Sequence, residues 1–548
     1  MANERLDNPF YYLDNFLRVL DWLELRYADL LDPEERSFIA GFRQAPQAAQ
    51  ALLVRMVMRK GTLFRAGRLS YPEIGAIEDA AAVLLANGWL DDQAPIELTQ
   101  LFEVLLKPEV LRCFEGQISQ VSARKADLLA QLLEHYPQPQ VFAAWCPQLN
   151  DTLYALRVQA LCDRLRLLFF GNLHQDWTEF VLADLGIYRY EQVALSDESR
   201  ALRSRDDVHA CVELHACRAV LEEGGDLQGV LARVNGLVTD NPWLLGRRDK
   251  LLLQMGQACE RAADWPLALQ LYASSAHPRA RQRRVRVLEL SDRPAEALAL
   301  ANLALAAPQS AAEAQLIARA LPRLRRKLGL PNPPRSKAAA VARLDLLLEL
   351  DLGRGSVEHR VREHLHEEQG PVHYVENSLL NSLFGLLCWP AIFAALPGAF
   401  FHPFQSGPAD LHQVDFRQRR AALFDACFAQ LDDGRYRATI LEHYASKWGL
   451  QSPFVHWGAL TPEILHQALA CLPAQHLRHC FERLLEDVQA NRAGMPDLIQ
   501  FWPQDQRYRM IEVKGPGDRL QDNQLRWLDF CARHGMPVQV CYVQWATA

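Results

Sequence analysis

Between Leu498 and Val543 the chain abandons the helical spacing of apolar residues that governs most of its length, and this change constrains its fold more than any other feature. Leu498 to Phe501 and Arg509 to Val513 read as two strands joined by the polar turn Pro503-Gln504-Asp505-Gln506, and Val538 to Val543 as a third. Gln521 to His534 lies between the last two strands as a helix, stopped at His534-Gly535 with Pro537 just beyond. The order strand, strand, helix, strand predicts a small α/β domain attached to a largely helical chain.

Alternation along the second strand sends Ile511 and Val513 into a core and places Glu512 and Lys514 on the opposite face. Asp497, at the mouth of the preceding strand, can meet Glu512 across the hairpin. Two carboxylates held together raise each other's pKa, so both stay ionised cheaply only with a cation between them. Oxygen ligands without Cys or His point to magnesium or manganese and not zinc. Such a metal would orient a water, lower its pKa and neutralise charge on a phosphate under attack. Lys514 would hold the attacking hydroxide or offset charge in the transition state. Asp followed by Glu-x-Lys is thus a phosphodiester-hydrolysing arrangement, the PD-(D/E)xK pattern. Taken alone it is a weak signal, because charged residues recur by chance in exposed strands; the hairpin context strengthens it.

A chain of 548 residues should divide into about three or four domains. No secretory signal opens it and no apolar run is long enough to span a membrane, so we expect a soluble intracellular protein, cytoplasmic and nucleoid-associated in a bacterium or nuclear in a eukaryote. Twelve cysteines without a CxxC pair suit reduced thiols rather than a disulfide framework. The patch Cys471, His476, His479 and Cys480 reads as helix packing rather than a metal site. A net charge of -7 does not announce a nucleic-acid binder, but residues 278–337 hold thirteen Lys/Arg against four Asp/Glu, and Arg55, Arg59, Lys60, Arg65 and Arg68 have no acid between them. Such patches suit steering of a phosphate backbone along selected surfaces, or else solvated helix faces.

Upstream, helices are expected over Tyr11 to Leu30, Asp32 to Arg43, Ala45 to Arg59 and Ile74 to Asn87, an arrangement open to a winged-helix reading or to plain helical packing. Two short helices within 95–136, the second opening with Arg124 and Lys125 on a Ser122 cap, resemble the SAP module that holds a DNA backbone; simple N-capping is the competing explanation. From Asp151 to Leu350 the pattern is almost wholly helical, and segments near Ala263 and Arg293 repeat about thirty residues apart, as in tetratricopeptide-type pairs. Arg279, Arg281, Arg283, Arg284 and Arg286 cannot all share one helix face, so some should pair with acids while others, with Arg281 and Arg284 as candidates, face DNA. The breaker cluster Leu330 to Ser336 should lead to one further helix, and a new helical pattern is expected from Tyr374 to Ser378.

Gly494-Met495-Pro496-Asp497-Leu498, Glu512 to Leu520 and Gln524 to Leu528 resemble the VRR-NUC domain of the Fanconi-associated nuclease family. Glu376-Asn377-Ser378 and Phe384 to Phe393 resemble the helix that brings a further acidic ligand in that family, and the order of parts matches nearly the whole chain. The resemblance implies a structure-specific DNA nuclease that cuts 5′ flaps and trims 5′ to 3′, with a role in interstrand crosslink repair. It implies metal ligation by Glu376, Asp497, Glu512 and the Val513 carbonyl, catalysis by Asp497, Glu512 and Lys514, and positions near the site for Asp518 and Gln524. The ubiquitin-binding zinc finger of eukaryotic members has no counterpart here, as in a bacterial-type member.

The expected architecture is therefore mostly α in the N-terminal and middle regions, with a C-terminal α/β PD-(D/E)xK domain. Its parts would be an N-terminal helical domain over 1–95, a SAP-like module over 96–150, TPR-like repeats over 151–369 and a VRR-NUC nuclease over 370–548. The cofactor would be Mg2+ or Mn2+ and the partner branched or 5′-flap DNA. The alternative is a helical-repeat DNA-binding scaffold whose nuclease domain is inactive; the filled catalytic positions argue against it.

Overall fold

The computed structural model describes residues 8–118, 120–175, 188–332, 340–349 and 355–546. It divides into two compact units, one of residues 1–188 with 202–208 and the other of 189–201 with 209–548. Among the described residues no helix is long and apolar enough to cross a membrane.

The first unit opens with helices Tyr11–Tyr27, Pro33–Gln44, Gln47–Val57 and Ile77–Ala86, close to the expected four. Asp32 starts the second through a reciprocal cap: its carboxylate accepts from the Glu35 N–H at 2.7 Å while Glu35 accepts from the Asp32 N–H at 3.0 Å. Strands β1 (Leu63–Arg65), β2 (Leu90–Asp91) and β3 (Leu153–Leu156) form an antiparallel sheet in the order β1-β3-β2. β3 falls where helix was expected. A short run of buried apolar residues carries no period that separates strand from helix.

The basic run of this unit is largely spent on acids distant in sequence. Arg55 pairs with Glu73 at 2.6 Å, Arg65 with Glu109 at 2.6 Å and Asp151 at 2.7 Å, and Arg68 with Glu109 at 2.6 Å. In the SAP-like segment the helices are Leu98–Val104, Lys107–Cys113 and Lys125–Leu133. Ser122 does not cap the last of these. The helix starts at Lys125, and the Asp127 carboxylate accepts from the Arg124 N–H at 3.3 Å, because Asp127 sits three residues into the turn where an acceptor meets the free N–H groups. Cys113 and Cys146 are joined as a disulfide, which departs from the expectation of reduced thiols throughout; the other described cysteines are free and buried.

In the second unit the helices Pro242–Arg261, Trp265–Ser274, Ala280–Leu290, Pro294–Ala306 and Ala311–Lys327 pack successively against one another. Asn241, Asp264 and Ser310 cap three of them through side-chain oxygens. The arginine cluster is sorted by partner. Arg281 clamps the buried Glu313 at 2.7 and 2.6 Å and the Ala307 carbonyl at 2.8 Å, while Arg283 and Arg286 share Glu260. Arg279 and Arg284 carry no ion pair among the described residues. Removing Arg281 strands a buried carboxylate, so Arg281→Ala should cost about 3 kcal/mol in urea unfolding while leaving the salt slope of DNA binding unchanged. A reduced slope with unaltered stability would instead make Arg281 a phosphate contact.

The expected helix after the proline cluster is a strand; residues 333–336 of that cluster lie outside the described residues. β4 (Ala342–Glu349) joins β5 (Val372–Tyr374), β6 (Leu498–Trp502), β7 (Arg507–Lys514) and β8 (Val538–Ala546) in a sheet ordered β4-β8-β7-β6-β5. Its Leu344, Leu346 and Leu348 alternate with Arg343, Asp345, Leu347 and Glu349, and this two-residue period seats one face on the sheet core of Val361, Val372, Leu498, Ile511, Val513, Cys541 and Val543. The sheet thus begins before the expected boundary at 370. Nor does a helix open at Tyr374: that residue ends β5, and the helix runs Leu379–Leu387 with every residue buried.

Candidate metal centre

Glu512 sits inside β7, flanked by β6 on one side and β8 on the other, through the pairings Leu498 with Ile511 and Glu512 with Val540. The side chains of Ile511 and Val513 go into the sheet core as alternation requires, leaving Glu512 and Lys514 on the other face. Asp497 stands one residue ahead of β6, and its carboxylate accepts from the Val513 N–H at 2.8 Å. The hairpin therefore carries Asp497, Glu512, Val513 and Lys514 to one end of the sheet.

The second piece of chain comes from more than a hundred residues upstream. Tyr374 pairs with Leu498 in the β5–β6 ladder, and the Val375 N–H donates to the Asp497 carbonyl at 2.9 Å. Asn377 completes the seam: its side-chain oxygen accepts from the Gly494 N–H at 2.8 Å and the Met495 N–H at 3.2 Å. Asn381 then donates to the Asn377 and Arg492 carbonyls at 2.7 and 2.8 Å. Two backbone conformations make this possible. Asn377 has φ 49°, a left-handed geometry that asparagine tolerates, and Gly494 has φ 91° with the Asn523 backbone 2.8 Å from where a Cβ would stand.

Burial dominates the electrostatics. Asp497 is 6% exposed and Glu512 fully buried. Desolvation pushes the Glu512 carboxyl up to about 7, with the Asp497 charge adding to it, and pushes Asp497 up to about 6 against the lowering effect of the Val513 N–H. Burial pulls the Lys514 ammonium down, but the Glu512 carboxylate 2.9 Å away outweighs it and leaves the lysine raised. Glu512 Oε2 is buried with no hydrogen-bond donor. A carboxylate oxygen stranded in this way, beside a second buried carboxylate, fits a hard divalent cation.

Glu376 is brought close but not into ligating position. It is exposed, in the turn before the Leu379–Leu387 helix rather than on it, and its carboxylate is taken up by the Tyr374 hydroxyl and by Asn377 at 3.1 Å. Among the described residues no three His, Cys, Asp or Glu side chains are gathered to hold one ion. The carboxylates of Asp497 and Glu512 nevertheless both feel the Glu376 charge. Asp518 accepts from the Gly515 N–H at 3.0 Å and so braces the turn after Lys514, while Gln524 caps the Asp522–Arg533 helix by accepting from the Gln521 N–H at 2.8 Å. The Cys471 to Cys480 patch is helix packing, with His476 on the Tyr508 hydroxyl at 2.8 Å.

Of the expected DNA contacts, Arg124 is exposed and paired to Asp127 at 3.1 Å, and Lys125 donates to the Leu105 carbonyl at 2.7 Å. Arg281 is committed to Glu313, and Arg284 is half-buried on the next turn. Sequence reasoning assigned no role to Tyr374 or Asn377. The available signal was an asparagine next to an acid and just ahead of an apolar helix, a position suited to left-handed backbone. Asn377→Ala removes the oxygen that accepts from the Gly494 and Met495 N–H groups and strains the turn, so cleavage should fall at least about tenfold and the metal-titration midpoint should rise. Asn377→Gly relieves only the strain and should recover part of the loss.

Comparison with known proteins gives concordant matches. A family model described as VRR-NUC domain matches residues 431–545, which include Asp497, Glu512 and Lys514 but not Glu376. Models described as FAN1, HTH domain and as Fanconi anemia-associated nuclease SAP domain match residues 10–91 and 95–145. The Fanconi-associated nuclease 1 homolog of Pseudomonas aeruginosa is 58% identical over 540 residues, 98% of this chain and 97% of that one. The homolog of Oryza sativa subsp. japonica is 26% identical over 610 residues, 97% of this chain and 62% of that one. Crystal structures of paFAN1 bound to 5′-flap DNA with a gap, with 2-nucleotide and 1-nucleotide flaps, superpose at TM-score 0.91 and 58% identity over 99% of this chain.

Proposed function

The chain belongs to the Fanconi-associated nuclease family and is a nuclease, and we propose that it hydrolyses DNA phosphodiester bonds at 5′ flaps and then trims 5′ to 3′, using Asp497, Glu512 and Lys514. The observation that carries this reading is the stranded carboxylate of Glu512 beside Asp497, with Lys514 2.9 Å away. Asp497, Glu512 and the Val513 carbonyl would hold Mg2+ or Mn2+, and Glu376 would join them by turning out of its contacts with Tyr374 and Asn377. When bound, the ion supplies an activated water and charge neutralisation at the phosphate. Lys514, held by Glu512, offers a cation to the charge that grows on the phosphate oxygens. The Val513 N–H fixes the Asp497 carboxylate, and the seam through Asn377 fixes the loop that carries it.

The division into 1–95, 96–150, 151–369 and 370–548 remains our reading of the parts, with the first and last each borrowing a strand, β3 and β4, from the third. Phosphate contacts select for shape rather than sequence, which suits branched DNA, a role in interstrand crosslink repair, and work in the cytoplasm beside the nucleoid. The test is cleavage of a labelled 5′-flap DNA with Mg2+ or Mn2+, alongside a matched RNA flap. Wild type should cut the DNA, and Asp497→Ala and Lys514→Ala should each cut at least a hundredfold more slowly. Intact DNA with wild type, or variants as active as wild type, would refute the assignment.

A further inference from the structure

Basic side chains in the second unit are mostly spoken for: Arg281 by Glu313, Arg283 and Arg286 by Glu260, Arg319 by Asp522, Arg323 by Glu289, Lys447 by Glu191. Four on stretches that pack together, the last of them two residues ahead of Gly494, are not so paired. Lys250, His412, His456 and Arg492 have no ion pair among the described residues, although they come from four separate stretches of chain. Packing brings those stretches together. Gly246, one turn before Lys250, lies against Gln413; Gly407 lies against Pro453; and Arg492 donates to the Pro453 carbonyl at 3.1 Å. The His456 N–H donates to the Ser382 hydroxyl at 3.0 Å, which anchors the same loop to the buried Leu379–Leu387 helix. Burial holds both imidazoles below the ordinary histidine value, and the Arg492 charge, joined by Lys250 at His412, lowers them further, so each histidine offers a phosphate a neutral N–H donor beside two fixed cations. Asp487, the acid that also reaches His412, is engaged in capping, accepting from the Ala490 N–H at 2.9 Å.

The loop that carries His456 continues into an aromatic platform. Trp448 is 48% exposed, with Tyr444 and Trp457 both edge-on to it at ring separations of 5.1 and 5.2 Å. The two supporting rings are pinned: the Trp457 ring N–H donates to the Leu450 carbonyl at 2.7 Å and the Tyr444 hydroxyl to the Leu460 carbonyl at 2.9 Å. Arg189, also exposed, lies alongside, paired through its backbone with Leu450 and Gln451. A rigid aromatic face open to solvent next to Lys250 and Arg492, cations with no ion pair among the described residues, and to two imidazole donors fits unstacked nucleobases on a phosphate chain, because every base has a π-face and every link a negative charge.

We propose that this surface is the track for the unpaired strand of the substrate, with phosphates on Lys250, His412, His456 and Arg492 and a base stacked on Trp448. Arg492 lies two residues ahead of Gly494, so the track meets the seam that holds Asp497. The proposal rests on the DNA-nuclease reading above and adds where the single strand runs.

The test is fluorescence anisotropy in metal-free buffer, comparing a nicked duplex that carries a short oligo-dT flap with the same duplex without it. Wild type should favour the flap. Trp448→Ala and the double variant Lys250→Ala with His456→Ala should each cut that preference about tenfold at unchanged melting temperature, whereas Arg293→Ala, on the repeats, should leave it alone. If Trp448→Ala unfolds, Trp448→Phe together with photocrosslinking of a flap 5-iodouracil to wild type decides: the crosslink should map within residues 436–457. A preference untouched in the variants, or crosslinks only elsewhere, overturns the track. Failure of wild type to cut flap DNA with metal would instead overturn the nuclease reading itself, so the two failures are distinguishable.

Discussion

Glu512→Gln should abolish cleavage by at least about a thousandfold and, at the same time, stabilise the metal-free protein at pH 8. The sign follows from burial. Glu512 is held up to about 7 in the folded chain against an ordinary value of 4.5, so the folded state keeps a proton that the unfolded chain releases. That stabilisation is present in full below pH 4.5 and is lost as the pH rises through 7, for a total of about 3 kcal/mol. Glutamine is neutral throughout and escapes the loss. Urea unfolding in EDTA should therefore show wild type and variant with similar stability at pH 4.5 and the variant ahead at pH 8. Added Mg2+ or Mn2+ should raise wild type at pH 8 far more than at pH 5, and should leave the variant almost unmoved. Parallel pH profiles for the two proteins would mean that Glu512 is not the desolvated carboxylate described here.

Lys514→Met removes the cation facing Glu512 and should slow cleavage by about a hundredfold to ten-thousandfold. Flap-DNA affinity should change little, because one lysine in a deep site contributes a small share of the phosphate contacts. Stability should fall as well, and with a characteristic pH dependence. Below pH 7 Glu512 can take a proton and the loss is small; above it a buried carboxylate stands unpaired, and about 3 kcal/mol is at stake. Combining Lys514→Met with Glu512→Gln should restore the alkaline stability without restoring activity. A double variant as unstable as the lysine variant would show that Lys514 matters through packing and not through its charge.

Much of the centre was legible because it is local. Asp497, the turn at Pro503 to Gln506, Glu512 and Lys514 sit within one hairpin, and period-two alternation places them without knowledge of the rest. β4 was hidden for the opposite reason: its leucines follow an alanine-rich stretch of helical text, and only pairing with β8, far along the chain, makes a strand of it. β5 has three residues, too few to show any period. Glu376 was named through resemblance, but its placement in a turn, held by Tyr374 and Asn377, depends on a left-handed asparagine meeting Gly494, which no local pattern reveals. The arginines show the same limit. Charge density near Arg281 suggested a DNA face, whereas the partner that decides its role, Glu313, lies 32 residues away.

The sheet also fixes when the enzyme can become active during its own synthesis. β8 is inserted between β7 and β4, yet β4 leaves the ribosome nearly two hundred residues before its partner exists. Until residues 538–546 arrive, β7 has an open edge and the buried environment of Glu512 is unfinished. The helices from Pro242 to Lys327 are built from contacts between sequence neighbours and can be in place long before then. The strand pairings therefore let a nascent chain form those helices first, and leave the surroundings of Glu512 to be completed last.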